Sequence, residues 1–317
     1  MRIAVVGAGA IGGFLAAALA RAGVPVAVVA RGEHLRAIRE RGLHVESDLG
    51  RFDVRLEAAD DLRALGRFDI VICTFKAHQW PVLLPQFTPV AQSGAAIVTL
   101  QNGVPFWYVR TAPLRSVDPG GEIGRLFPDE RVLGGVVHVS GTLTAPGRVV
   151  QSGGLRYVIG HPSGRADRRV DELVATMRDA GLAAEPDASI RATLWLKVVN
   201  NVGLNAVSAR RRMRIRPLLS DPHARAEVRA LMSEALTVGQ ALGAVTSADV
   251  DARIEYAARL ADVKTSMLQD LERGRELELE PILGAVVELA DRHGVGVPHI
   301  RENYAALQSF SAKSSTV

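Results

Sequence analysis

The chain has 317 residues, of which 48% are hydrophobic and 23% charged, with a formal net charge of +4. Such a composition belongs to a globular protein with room for two domains, and the modest charge argues against a nucleic-acid partner while suiting a small anionic ligand. A single cysteine, Cys73, excludes an internal disulfide framework and fits a reducing compartment.

The first residues lack the three-part pattern of a signal peptide, and no apolar run is long enough to span a membrane. A cytoplasmic protein with no membrane association is therefore expected. Residues 2–6 form an apolar run ending in Gly7-Ala8-Gly9-Ala10-Ile11-Gly12. A small-residue helical segment follows to Gly23, and a second apolar run, 24–30, ends at Arg31. Strand, glycine turn, helix, strand is the context in which Gly-x-Gly-x-x-Gly binds a dinucleotide. Gly7 allows the tight turn, Gly9 lets the backbone approach a pyrophosphate, and Gly12 permits close helix packing. Ala10 and Ile11 open a helix whose unpaired N–H groups would face the phosphates. A carboxylate closing the second strand would bind a ribose 2′-hydroxyl, whereas an arginine accommodates a 2′-phosphate. Arg31 stands there, with no carboxylate before Glu33, so NADP(H) is the expected cofactor.

Further along, residues 34–41 read as a helix closed by Gly42, and 43–46 with 52–56 as a hairpin around Asp48-Leu49-Gly50. Residues 61–65 suggest a short helix. Residues 68–75 read as a buried parallel strand followed by Lys76 and Gln79, and 95–100 as another that runs into Gln101-Asn102-Gly103. Ligands of open α/β sheets bind beyond the carboxyl ends of the strands, which groups Gly7–Gly12, Lys76, Gln79 and Asn102 at one nucleotide site. The irregular stretch 106–128 is either a lid or a surface excursion with buried aromatics. Residues 132–139, 148–151 and 156–159 alternate as antiparallel strands finishing the sheet. An amphipathic helix over 167–180 and an edge strand over 182–186 complete the domain. The fold class is α/β, with a Rossmann-type dinucleotide-binding domain over 1–187 followed by an all-α domain over 188–317.

In that second domain, helices are expected from about Ser189 through Lys197, then over 222–242, 247–260, 265–271 and 280–292, with a frayed tail over 309–317. The basic run 210–216 reads as a solvated helix face or loop rather than a phosphate patch. Lys197, Asn201 and Asn205 fall at i, i+4 and i+8, on one helical face amid Leu194, Val198, Val199 and Val202. Asparagine is a poor mid-helix residue, and buried polar groups need partners, so the stripe points to function. Ser266 and the carboxylates Glu276, Glu278 and Glu280 follow. An enzyme reducing a ketone must protonate the developing alkoxide, and a lysine tuned by burial and a neighbouring carboxylate can do so. Spacing alone leaves open which of the three glutamates is that neighbour.

Taken together, several motifs resemble the ketopantoate reductase family (2-dehydropantoate 2-reductases) of the 6-phosphogluconate dehydrogenase-like superfamily, over nearly the whole chain. They are Gly7 to Gly12, Arg31, Thr74-Phe75-Lys76-Ala77-His78-Gln79, Leu100 to Gly103, Trp195-x-Lys197-x-x-x-Asn201-x-x-x-Asn205, Ser266 to Asp270, and Glu278. The resemblance implies NADPH across the first domain and the ketoacid in the cleft between domains. It implies Lys197 as general acid and Glu278 as the group orienting Lys197 and the new hydroxyl. Asn102, Asn201, Asn205 and Ser266 would hold the substrate, with Lys76, Gln79 and Asn102 lining the nicotinamide. Two features depart from the family: the long aromatic stretch 105–121, and Leu283 where an asparagine would stand. The expected reaction is NADPH-dependent reduction of 2-dehydropantoate to pantoate. One rival is a D-2-hydroxyacid dehydrogenase acting on another branched or aromatic 2-ketoacid, which the aromatic stretch favours. Another is a non-catalytic NADP(H) sensor, which Lys197, Asn201 and Glu278 oppose. No two of the eight histidines lie three to five residues apart, so no metal is expected. The apolar faces of a helical second domain allow a homodimer.

Overall fold

The computed structural model describes residues 1–259 and 262–314. Leu260, at the end of the helix expected over 247–260, and the tail residues 315–317 lie outside them. The chain forms two compact units: Met1–Gln101 with Glu122–Ile190, and Asn102–Gly121 with the described residues from Arg191 onward. The stretch 102–121, which the sequence places inside the first domain, thus packs with the second unit.

The first unit is built on ten strands: β1 (Ile3–Val6), β2 (Val26–Val29), β3 (Leu43–Ser47), β4 (Gly50–Val54), β5 (Glu57–Ala59), β6 (Ile70–Cys73), β7 (Ala96–Thr99), β8 (Val132–Ala145), β9 (Arg148–Gly160) and β10 (Ala183–Pro186). Their order is β4-β3-β9-β8-β7-β6-β1-β2-β5, with β10 beside β9. β1 lies parallel between β2 and β6. Every residue of β1, β2, β6 and β7 is buried, which is why these strands read as unbroken apolar runs rather than alternating ones. Helix Ala10–Arg21 follows β1 and sinks Phe14, Leu15 and Leu19 into the core. Its small residues Ala16, Ala17 and Ala18 are also buried, allowing the helix to sit close on the strands.

The long antiparallel pair does not finish the sheet as expected. β8 runs parallel to β7, and β9 carries two parallel partners end to end along one edge, β3 at Arg148–Val150 and β10 at Arg156–Ile159. At 13 residues β9 is long enough for both, so the β3–β4 hairpin becomes the outer edge.

Every regular element described in the second unit is helical. The principal ones are Ile190–Asn200, Ala206–Arg211, Pro222–Ala241, Val250–Arg259, Ser266–Glu272, Ala285–His293 and Pro298–Ser314, with π-helical turns at Asn201–Asn205 and Glu280–Gly284. Asp221 caps the longest of them by accepting from Ala224 N–H at 2.7 Å. The final helix differs from the frayed tail expected over 309–317. Pro298 occupies its first position, where a missing N–H costs nothing, and Ile300 and Leu307 are buried.

The aromatic stretch is an excursion with buried rings. Trp107, Tyr108 and Trp195 stack at 5.9 and 5.5 Å between centroids, and Arg191 lies 4.2 Å over the Tyr108 ring. In the basic run, Arg210 and Arg211 pair with Glu227, and Arg214 pairs with Asp262, so these charges are matched within the protein. Among the described residues no helix is long and apolar enough to cross a membrane. Among them, too, no group of three or more His, Cys, Asp or Glu is placed to hold a metal ion.

Tyr157, on β9, is fully buried in the core, and its hydroxyl has no hydrogen-bond partner among the described residues. An unmade buried hydrogen bond costs stability, so Tyr157→Phe is expected to leave the denaturation midpoint unchanged or raise stability by about 1 kcal/mol. A loss of more than about 1 kcal/mol in urea unfolding would show that the hydroxyl bonds to an internal water.

Candidate active site

In the first unit the glycine turn is pinned from two sides. Gly7 and Ala8 donate their N–H groups to the Val29 carbonyl at 3.1 Å each, and Thr74 Oγ1 donates to the carbonyls of Gly7 and Val6 at 2.8 and 3.0 Å. A Cβ on Gly12 would lie 2.3 Å from both Gly7 O and Thr74 Oγ1, so only glycine lets the helix start so close to the turn. A Cβ on Gly9 would meet nothing within 4 Å, and that side of the turn is open. No side chain caps helix Ala10–Arg21, which leaves the N–H groups of Ala10, Ile11 and Gly12 without intrahelical acceptors. An open backbone face beside uncapped N–H groups fits a pyrophosphate.

Arg31 follows β2, is exposed, and makes no ion pair with a described residue. The nearest carboxylate in sequence, Glu33, pairs with Arg36 at 3.0 Å. A cation without a counter-ion at this strand end suits a 2′-phosphate. Just beyond β6, Lys76 precedes the short turn Ala77–Gln79 and Gln79 ends it, both half-buried.

The second unit gathers the other polar residues. Lys197 sits near the end of helix Ile190–Asn200, partly accessible but densely ringed by protein. Burial lowers its pKa to about 8, and the charge of Glu278 opposes part of that fall. Of the three glutamates that spacing left open, Glu276 and Glu280 are exposed while Glu278 is 7% exposed. Glu280 instead accepts from the Tyr304 hydroxyl. Asn102 Nδ2 reaches Glu278 Oε2 at 3.4 Å, a long contact. Asn102 is held there by the next residues. Val104 N–H donates to the Pro281 carbonyl at 2.7 Å, and Gly103 has φ +82° with its Cβ position 2.3 Å from the same oxygen. Gly103 and Val104 therefore dock on the π-turn Glu280–Gly284.

Asn201 and Asn205 begin and end the other π-turn, so the regular α-helical face expected from their spacing is wound wider at this point. Asn205 is buried, with Nδ2 3.5 Å from Ser266 Oγ. Asn201 Nδ2 is buried with no partner among the described residues, a donor left for something the chain does not supply. The two π-turns pack on each other, and π-turns occur frequently at functional sites. The sequence reading also passed over Arg253, whose Nη1 donates to Asn200 Oδ1 at 3.3 Å. Burial lowers its pKa, and no carboxylate among the described residues pairs with it. Lys197, Glu278, Asn102, Asn201, Asn205 and Ser266 all belong to the second unit, whereas the glycine turn, Arg31, Lys76 and Gln79 belong to the first.

Residues 3–164 match the family described as Ketopantoate reductase PanE/ApbA, and residues 189–311 match Ketopantoate reductase PanE/ApbA C terminal. The chain belongs to the ketopantoate reductase family of oxidoreductases. It is 39% identical over 297 residues to a 2-dehydropantoate 2-reductase of Mesorhizobium japonicum, with 91% of each chain covered. The crystal structure of a 2-dehydropantoate 2-reductase from Geobacter metallireducens has a TM-score of 0.87 at 29% identity, covering 98% of this chain and 99% of that one. A D-mandelate dehydrogenase solved with NADH and anilino(oxo)acetate has the same TM-score, 0.87, over 100% of both chains. At 20% identity that likeness is one of fold alone.

Against this family background, the two departures noted in the sequence acquire a structural meaning. The rings of Trp107 and Tyr108 are committed to a tilted cluster with Trp195. Leu283, in the second π-turn, is fully buried, so the position carries a core side chain.

Proposed function

We propose that the protein reduces 2-dehydropantoate to pantoate with NADPH, and that Lys197 is the general acid. The observation that carries this reading is the coupling of half-buried Lys197 to the buried carboxylate Glu278 beside an unpartnered Asn201 amide. When bound, the reduced nicotinamide supplies the hydride that reaches the carbonyl carbon. The backbone of Gly7, Gly9, Ala10, Ile11 and Gly12 holds the pyrophosphate and Arg31 the 2′-phosphate, while Lys76, Gln79 and Asn102 border the nicotinamide. Lys197 Nζ donates a hydrogen bond to the ketone oxygen and delivers its proton as negative charge develops there. Glu278 keeps the ammonium charged and accepts from the hydroxyl that forms. Asn102, Asn201, Asn205 and Ser266 bind the carboxylate and hydroxyl groups of the ketoacid, the free Asn201 Nδ2 donating to one of them. A lysine with pKa about 8 is protonated at neutral pH yet gives up its proton more readily than a solvated one.

The buried Trp107–Tyr108–Trp195 stack removes the main argument for an aromatic substrate, since those rings are spent in packing. NADPH oxidation followed by absorbance, with 2-dehydropantoate beside branched and aromatic 2-ketoacids, is expected to show clear preference for 2-dehydropantoate. Lys197→Ala is expected to lower kcat by about 10²- to 10⁴-fold while NADPH still binds. Preference for another ketoacid would move the assignment to a D-2-hydroxyacid dehydrogenase. Tight NADPH binding with no turnover of any ketoacid would make the protein a sensor. For the cofactor, Arg31→Ala should weaken NADPH binding by about ten- to a hundredfold and leave NADH binding little changed. Equal loss for both would remove the 2′-phosphate role.

A further inference from the structure

His34 bridges two backbone segments far apart in sequence, both within the first unit. Its Nδ1 accepts from the Gly147 N–H at 2.9 Å, and its Nε2 lies 2.6 Å from the Ala8 carbonyl in the glycine turn. A backbone N–H can only donate, so Nδ1 must be the bare nitrogen and Nε2 must carry the proton that goes to Ala8. Both bonds exist together only in the neutral imidazole. The Ala8–Gly9 peptide is then fixed at both ends: its carbonyl by His34, its N–H by Gly7 O at 2.7 Å. His34 also stands in the first turn of helix Gly32–Arg41, whose N-cap is Arg31. One side chain thus ties the turn proposed for the pyrophosphate to the helix that presents the cation proposed for the 2′-phosphate.

We propose that His34 is a positioning residue for the dinucleotide, bracing the glycine turn through its neutral imidazole and releasing it on protonation. This rests on the NADP(H) reading above. On protonation Nδ1–H would face the Gly147 N–H, donor against donor, and the bridge would open. Burial already disfavours the charged ring and lowers its pKa, with the Ala8 carbonyl the one influence acting the other way. The charged neighbours are Arg31, Glu33 and Arg36 on its own helix and Arg148 beside Gly147, all exposed and none bonded to the imidazole. The glycine turn itself contributes no charge. The neutral form, and with it the brace, is complete at and above the ordinary histidine value of about 6.5 and is lost as pH falls through the lowered value.

The test is the NADPH dissociation constant, read by fluorescence titration at about pH 7.5 and about pH 5.5 for the unsubstituted protein, His34→Gln and His34→Leu. The 2′-phosphate titrates near 6 as well, so proteins are compared with one another at each pH, where the ligand's own titration cancels. His34→Gln keeps a donor and an acceptor and cannot protonate. Its affinity is expected to match the unsubstituted protein at the higher pH and to exceed it at the lower, by up to about tenfold per pH unit. His34→Leu should bind more weakly at both, without the pH-dependent gap. If His34→Leu fails to fold by circular dichroism, the glutamine comparison alone decides. A ratio between the unsubstituted protein and His34→Gln that does not change with pH would overturn the brace while leaving the dinucleotide site intact. Failure of the unsubstituted protein to bind either NADPH or NADH would overturn the dinucleotide reading, and this one with it.

Discussion

The coupling between Lys197 and Glu278 is the constraint around which the second unit is arranged. A lysine surrounded by protein tends to lose its proton, and a buried carboxylate tends to gain one. Burial of Lys197 favours its neutral form, the Glu278 charge favours its ammonium form, and the balance leaves Lys197 at about 8. The two π-turns that pack together here, Asn201–Asn205 and Glu280–Gly284, interrupt the regular ladder beside both charged groups. The carbonyl of Pro281 takes the N–H of Val104, and through that bond the Asn102 side chain is delivered to Glu278. The polar cluster and the irregular backbone are therefore one feature: the wider turns supply the positions, and the charges give a reason for keeping them.

In the first unit the proposed pyrophosphate site sets a different requirement, an open approach to bare backbone. Small residues serve it twice. Gly12 lets the helix close on the turn, and the alanines behind it let the same helix lie flat on the strands. Thr74 and Val29 hold the turn from the sheet side, and His34 holds it from the neighbouring helix. The glycine turn is main chain, yet its shape depends on the Thr74 and His34 side chains and on the Val29 carbonyl.

Much of this was legible in the sequence where a local pattern has a single physical reading. The apolar runs at 2–6, 68–75 and 95–100 could only be strands covered on both faces, and the glycines after the first of them marked the turn. The asparagines stood out on an apolar helix because they are poor mid-helix residues, and the structure places both in a π-turn. The π-turns were not legible, because a periodicity argument assumes the regular winding that they break. Nor could spacing choose among Glu276, Glu278 and Glu280, since burial is settled by tertiary packing. The outer position of the β3–β4 hairpin followed from the length of β9, a long-range matter. The last helix was hidden by a polar tail that draws attention away from Pro298. His34 gave no signal because its partners are 26 and 113 residues away.

The proposed chemistry depends most directly on Lys197 acting as an acid whose charge Glu278 sustains. The decisive measurement is the pH dependence of kcat/KM for ketoacid reduction, which reports the groups of the free protein, in the unsubstituted protein and in Glu278→Gln. With the ammonium as the proposed active form, kcat/KM should be full at neutral pH and fall as pH rises through about 8. Removing the carboxylate takes away the influence that raises the lysine pKa, so the falling limb should move to lower pH in the variant. A limb that is absent near 8, or that stays in place or moves upward in Glu278→Gln, would contradict the account.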